Sequence, residues 1–129
     1  MKNKLVNVIG LGYIGLPTAA LLASYGYKVI GTDISGRAVD AINQGKTHIF
    51  EPDLEMFVRS AVVAGRLNSS TSPQAADIYI ICVPTPIRDG DAVPQPDIES
   101  VLIATRSIAP FVKPGDLVIL ESTSPVGTT

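Results

Sequence analysis

Short, almost wholly apolar runs alternate along this chain with stretches whose apolar residues recur every three or four positions. Leu5 to Ile9 is a run of the first kind, as a strand buried on both faces of a parallel sheet has to be. Leu16, Ala19, Ala20 and Ala23 then recur at helical spacing as far as Gly26, a natural stop, with Pro17 in the first turn where a missing N–H costs least. Tyr27 to Thr32 reads as a second strand, and Ser35 caps a second helix through Val39 and Ile42 towards Gly45. A third helix is predicted from Glu51, with Pro52 at its first position, Asp53 and Glu55 at the positive end of its dipole, and its close near Gly65. Leu67 to Ser70 fits a short edge strand, and Ile78 to Val83 a buried one. Pro84, Pro86, Pro94 and Pro96, with Asp89, Gly90 and Asp91 among them, argue against regular structure in a long loop of functional character. Ile98, Val101, Leu102 and Thr105 define the next helix, and Leu117 to Leu120 the last strand, after the turn Lys113-Pro114-Gly115-Asp116.

Strands alternating with helices imply right-handed crossovers, hence an α/β fold: a doubly wound parallel sheet with helices on both faces, in the order 3-2-1-4-5. Ligands of such sheets bind at the carboxyl ends of the strands. The length of 129 residues fits one domain spanning 1–129, and 46% hydrophobic against 17% charged residues suits a folded core. A formal net charge of −2 without any run of one sign argues against a nucleic-acid or anionic-membrane partner. Cys82 is the only cysteine, so no intrachain disulfide forms and a cytoplasmic location is the default expectation. Asn7 and the glycines that follow interrupt the apolar start, which is neither a signal core nor a membrane span. Gly127-Thr128-Thr129 stands where a further helix is expected to begin, which reads as a truncation.

Gly10-Leu11-Gly12-Tyr13-Ile14-Gly15 matches G-x-G-x-x-G and lies between the first predicted strand and helix, the setting of a Rossmann-type dinucleotide site. Gly10 permits the tight turn, Gly12 lets backbone approach a pyrophosphate, and Gly15 lets helix and strand pack closely. The Tyr13 and Ile14 amides, at the helix's positive end, then meet the phosphates. Asp33, 18 residues beyond Gly15, stands where a carboxylate accepts both adenosine ribose hydroxyls and repels a 2′-phosphate, so the cofactor is expected to be NAD. An Asp at a strand end also serves as a helix cap or a solvated turn. Arg37 either pairs with Asp33, stacks near the adenine, or is an exposed helix arginine. Val83-Pro84-Thr85 and the Ser122 and Thr123 hydroxyls follow the fourth and fifth strands, where they flank the ribose and nicotinamide or else only satisfy their turns. His48 has no Cys or His partner at metal spacing, Cys82 inside an apolar strand behaves as a small hydrophobe, and no metal is expected.

Taken together, Val8 to Ala20, Glu51-Pro52-Asp53-Leu54, Val83-Pro84-Thr85-Pro86 and Glu121-Ser122-Thr123-Ser124-Pro125-Val126-Gly127-Thr128-Thr129 resemble the N-terminal domain of the UDP-glucose/GDP-mannose dehydrogenase family almost end to end. Glu121, where UDP-glucose enzymes usually carry Lys, resembles the N-acetylhexosamine branch, with UDP-N-acetylmannosamine as the implied UDP-sugar. The resemblance implies oxidation of a sugar C6 alcohol to a carboxylate in two NAD-dependent steps, through thiohemiacetal and thioester intermediates on a cysteine of a later segment. It also implies a homodimer formed by a central helix beyond this chain, and Thr123 as the one residue here that touches the chemistry, positioning a water. Family members often place Lys or Arg five residues after the ribose-binding acid, whereas Ala38 stands there in this chain, with Arg37 one position earlier. A β-hydroxyacid dehydrogenase-like reductase shares the Gly-Leu-Gly opening, but the proline-rich loop and Ser-Thr-Ser-Pro argue against it. A free-standing NAD-sensing module is the non-enzymatic alternative.

Overall fold

The computed structural model describes residues 3–88, 95–122 and 127–129. Five strands form one parallel sheet: β1 (Leu5–Ile9), β2 (Lys28–Thr32), β3 (Leu67–Ser70), β4 (Ile78–Ile81) and a last strand, Leu117–Leu120. Two short segments of the proline-rich loop intervene, β5 (Ile87–Arg88) and β6 (Gln95–Pro96), so the last strand is β7. The sheet order is β3-β2-β1-β4-β7, the predicted 3-2-1-4-5, and Val8 stands between Gly31 of β2 and Ile80 of β4. The expectation of no regular structure in the proline loop needs one correction: β5 and β6 pair antiparallel, Ile87 with Pro96 and Arg88 with Gln95. A two-residue ladder can accommodate a proline at its end, where no ladder N–H is required.

Alternation along the strands divides the core in two. Val6, Val8, Val29 and Ile80 face α1 (Gly15–Ser24) and α3 (Leu54–Val63), joined by Ile42 of α2 (Gly36–Asn43). On the opposite face a smaller set, Ile9, Tyr79 and Ile81, meets Ala104 and Ile108 of α4 (Glu99–Ile108). In α1 the small residues Ala19, Ala20 and Ala23 are buried, which lets the helix lie close to the sheet. Ser35 caps α2 as expected, its hydroxyl accepting from the Ala38 amide at 3.2 Å.

α3 starts three residues later than the sequence suggests. Asp53 adopts the left-handed conformation at φ 64°, its side chain caps nothing, and the turn before it is closed by the Leu54 amide on the Glu51 carbonyl. A left-handed residue cannot belong to a right-handed helix, so Pro52 and Asp53 lie ahead of α3.

Asn7 is a polar residue in the middle of β1 and is fully buried. Its amide nitrogen donates to the Ile30 carbonyl (2.9 Å) and Thr32 Oγ1 (2.8 Å), and its oxygen accepts from the Gln74 amide (3.0 Å). With both ends partnered, a buried amide costs little and ties the segment after β3 to the two central strands.

Candidate functional site

The glycine loop leaves β1 at its carboxyl end. Gly10 has φ 94° and its amide donates to the Thr32 carbonyl at 2.7 Å, and a Cβ there would lie 2.8 Å from the Cys82 carbonyl oxygen. At Gly15 a Cβ would stand 1.7 Å from the Gly10 carbonyl oxygen, so no side chain fits. Leu11 is fully buried and points into the space left by Gly31 of β2, where a Cβ would lie 2.8 Å from its Cδ1. Gly10 and Gly15 are required by the chain's own backbone packing, whereas at Gly31 the Leu11 side chain would have to shift.

Gly12 is different. A Cβ added there would meet nothing within 4 Å. The Tyr13 and Ile14 amides, just ahead of α1, donate to no carbonyl or side chain among the described residues. Unpaired amides at the positive end of a helix beside unfilled space make an anion cradle.

Asp33 follows β2 on the same sheet edge. Its Oδ2 accepts the Leu11 amide and its Oδ1 the Ser35 amide, both at 2.9 Å. A carboxylate has about four lone-pair sites. Two are taken by the backbone, which fixes the orientation of the group, and two remain for a diol.

Gly10 to Ile14, Asp33, Val83, Pro84, Thr85 and Ser122 all line one cleft of about 920 Å³ along the carboxyl edge of the sheet. Of the expected residues, Gly15 does not line it, being packed against the Gly10 carbonyl, and neither does Arg37. Arg37 is exposed on the first turn of α2, and Asp33 is held by backbone amides rather than by Arg37. Thr123 lies outside the described residues. The Ser122 hydroxyl donates to the Val83 carbonyl at 2.7 Å, so its one proton joins the loops after β4 and β7 and only its lone pairs are left for a ligand.

Sequence reading missed a linked trio of which two members, Cys82 and Glu121, line this cleft. Thr18 Oγ1 of α1 donates to Glu121 Oε1 (3.1 Å) and Oε2 (3.3 Å), and Cys82 Sγ donates to Oε2 at 3.1 Å. Cys82 is therefore more than a small hydrophobe: it is buried, lines the cleft and meets a carboxylate. Burial above all, then the hydrogen bond to Glu121 and its charge, pushes the thiol well above its ordinary range. That disables it as a nucleophile. Glu121 stood out in the sequence only as a mark of family branch, and nothing there signalled that Thr18 would reach it across the sheet.

His48 is exposed in the loop before α3 and lines a separate hollow of about 600 Å³ with Glu51 and Glu55. Among the described residues no group of three or more His, Cys, Asp or Glu side chains is placed to hold a metal ion, and no helix is long and apolar enough to cross a membrane.

Residues 4–129 match the model of the UDP-glucose/GDP-mannose dehydrogenase family's NAD binding domain. The chain belongs to this family. Over 129 residues it is 58% identical to a UDP-N-acetyl-D-mannosamine dehydrogenase of Escherichia coli strain K12, covering all of this chain and 30% of that protein. Over 124 residues it is 57% identical to an NDP-N-acetyl-D-galactosaminuronic acid dehydrogenase of Ralstonia nicotianae, covering 96% and 29%. The native structure of the UDP-N-acetyl-mannosamine dehydrogenase of Staphylococcus aureus superimposes with a TM-score of 0.89 at 43% identity, over 92% of this chain and 29% of that one. The chain thus spans less than a third of the length of these relatives. As an NAD-binding domain of the UDP-glucose/GDP-mannose dehydrogenase family, it takes NAD as cofactor, and the β-hydroxyacid dehydrogenase-like alternative is set aside.

Proposed function

We propose that this chain is the dinucleotide-holding domain of a longer enzyme that oxidises the C6 alcohol of a UDP-N-acetylhexosamine, UDP-N-acetylmannosamine in the first instance, to a uronate in two NAD-dependent steps. One observation carries the reading: Gly12 faces open space beside two unpartnered amides, so the chain's own packing gives no reason for glycine there and a bound pyrophosphate does. The Tyr13 and Ile14 amides hold the phosphates, Asp33 takes the adenosine ribose diol, and Val83, Pro84, Thr85 and Ser122 border the nicotinamide ribose. Thr123 positions a water near the reacting carbon. The nicotinamide, when bound, supplies the hydride acceptor.

The remaining chemistry asks for more than this chain holds. Hydride transfer needs a substrate fixed at near-attack distance and a base for the alcohol proton, and the second oxidation needs a thiolate. Cys82 is the only thiol, buried and protonated. The sugar, the reactive cysteine and the contacts of a homodimer therefore belong to a further segment of a cytoplasmic enzyme. Calorimetric titration with NAD and NADP tests the cofactor assignment. NAD should bind at least about tenfold tighter, since a 2′-phosphate meets the Asp33 carboxylate and loses its hydrogen bonds; equal affinities, or tighter NADP, would falsify the role of Asp33. Mixing the 129-residue chain with NAD and UDP-N-acetylmannosamine should give no sustained NADH absorbance, and turnover would mean that the active site is complete without any further segment.

A further inference from the structure

Glu121 is an exposed cleft side chain held by side chains of two other elements. It follows β7, is gripped by hydroxyl and thiol donors from two other elements, Thr18 of α1 and Cys82 after β4, and lines the same cleft as the glycine loop. Both partners are neutral. Among the described residues the ion pairs are Arg59 with Glu55 and Lys113 with Asp116, and neither involves Glu121. The arrangement fixes a negative charge in place without neutralising it.

Its place along the cleft gives that charge a use. If the dinucleotide runs as proposed above, from Asp33 across the glycine loop to the ends of β4 and β7, its nicotinamide ring comes to rest beside Ile14, Val83 and Glu121. The oxidised ring carries one positive charge, and that charge disappears when hydride arrives. A carboxylate nearby attracts the oxidised form only; Glu121 is itself exposed, so the attraction is the modest one of a surface charge at close range and weakens with added salt.

We propose that Glu121 sets the redox preference of the bound dinucleotide, favouring NAD+ over NADH. The domain then loads the oxidant and sheds the reduced product, as an enzyme working in the direction of oxidation requires. Thr18 and Cys82 are positioning residues that hold the carboxylate towards the ring.

The test compares the dissociation constants of NAD+ and NADH for the wild-type chain and for Glu121→Gln, which keeps the shape and hydrogen-bonding capacity of the side chain and removes its charge. NAD+ should bind wild type more tightly than NADH. In the variant NAD+ should weaken by at least about fivefold while NADH changes by less than about twofold. Tighter NADH binding by the wild type overturns the proposal whether or not the variant folds. Equal effects of the substitution on both forms overturn it as well and leave the dinucleotide reading standing. Failure of the wild type to bind either form defeats that reading and this proposal with it.

Discussion

The middle of the sheet and its β7 edge differ in how far their own chain completes them. β1 and β2 are buried along almost their whole length and are covered by α1 and α3, with Val8 fully enclosed. At the β7 edge Leu117, Val118 and Ile119 are 51%, 43% and 39% exposed, although their sequence is as apolar as that of β1. Apolar sequence makes both segments strands, but only packing partners make a strand a core strand. The glycine loop and Asp33 stand on the completed side. Glu121 and Ser122 stand where β7 ends, held by individual hydrogen bonds to Thr18, Cys82 and Val83 rather than by a surrounding core.

The largest effect should come from the completed side. Gly15→Ala places a methyl group against the Gly10 carbonyl, where backbone cannot yield cheaply, and should cost at least about 3 kcal/mol in urea unfolding. A milder variant would mean that the loop is looser than its contacts indicate.

A matched pair tests the contrast itself. Val8→Ala should cost about 2 to 3 kcal/mol, and the same change at Val118 less than about 1 kcal/mol. Similar losses at both sites would break the comparison, because β7 would then be supported as well as β1.

Cys82 sharpens it through pH. Its thiol ionises in the folded chain only well above its ordinary value of 9.0, whereas the unfolded chain ionises it near that value. A raised folded pKa means that the stabilisation is full below 9.0 and is lost as pH rises beyond it. The urea midpoint should therefore fall more for wild type than for Cys82→Ala between about pH 8 and about pH 10. Parallel curves would place the thiol in contact with water.

The smallest effect is a gain. Asp53→Gly relieves a left-handed residue by about 1 kcal/mol and gives part of that back as freedom of the unfolded chain, for a net of about 0.5 kcal/mol and a melting temperature about 2 °C higher. A lower melting temperature would mean that the Asp53 side chain contributes something the backbone geometry does not reveal.

These contrasts also separate what the sequence made legible from what it did not. Periodicity and punctuation located every strand of the main sheet, and the glycine spacing placed the loop correctly between β1 and α1, because turn geometry and burial on both faces are written locally. The start of α3 was misplaced because Pro52 and Glu55 carry the signals of a helix terminus, while the left-handed turn at Asp53 is a property of the backbone path. The β5–β6 pair hid behind its prolines. Asn7 looked like an interruption in an apolar run, since its three partners lie at least 23 residues away in sequence. The Thr18–Glu121 bond joins residues 103 positions apart, and no spacing rule reaches that far. Arg37 looked equally suited to the cleft and to solvent, and the turn of α2 placed it in solvent.

The central claim is that Gly12 is a glycine for the sake of a ligand, whereas Gly10 and Gly15 are glycines for the sake of the fold. Gly12→Val measured by NAD titration and by melting of the ligand-free protein tests it most directly. Affinity should fall by at least about a hundredfold while the melting temperature stays within about 2 °C of wild type. NAD binding within about threefold of wild type, or a loss of binding that comes with a collapse of the fold, would contradict it.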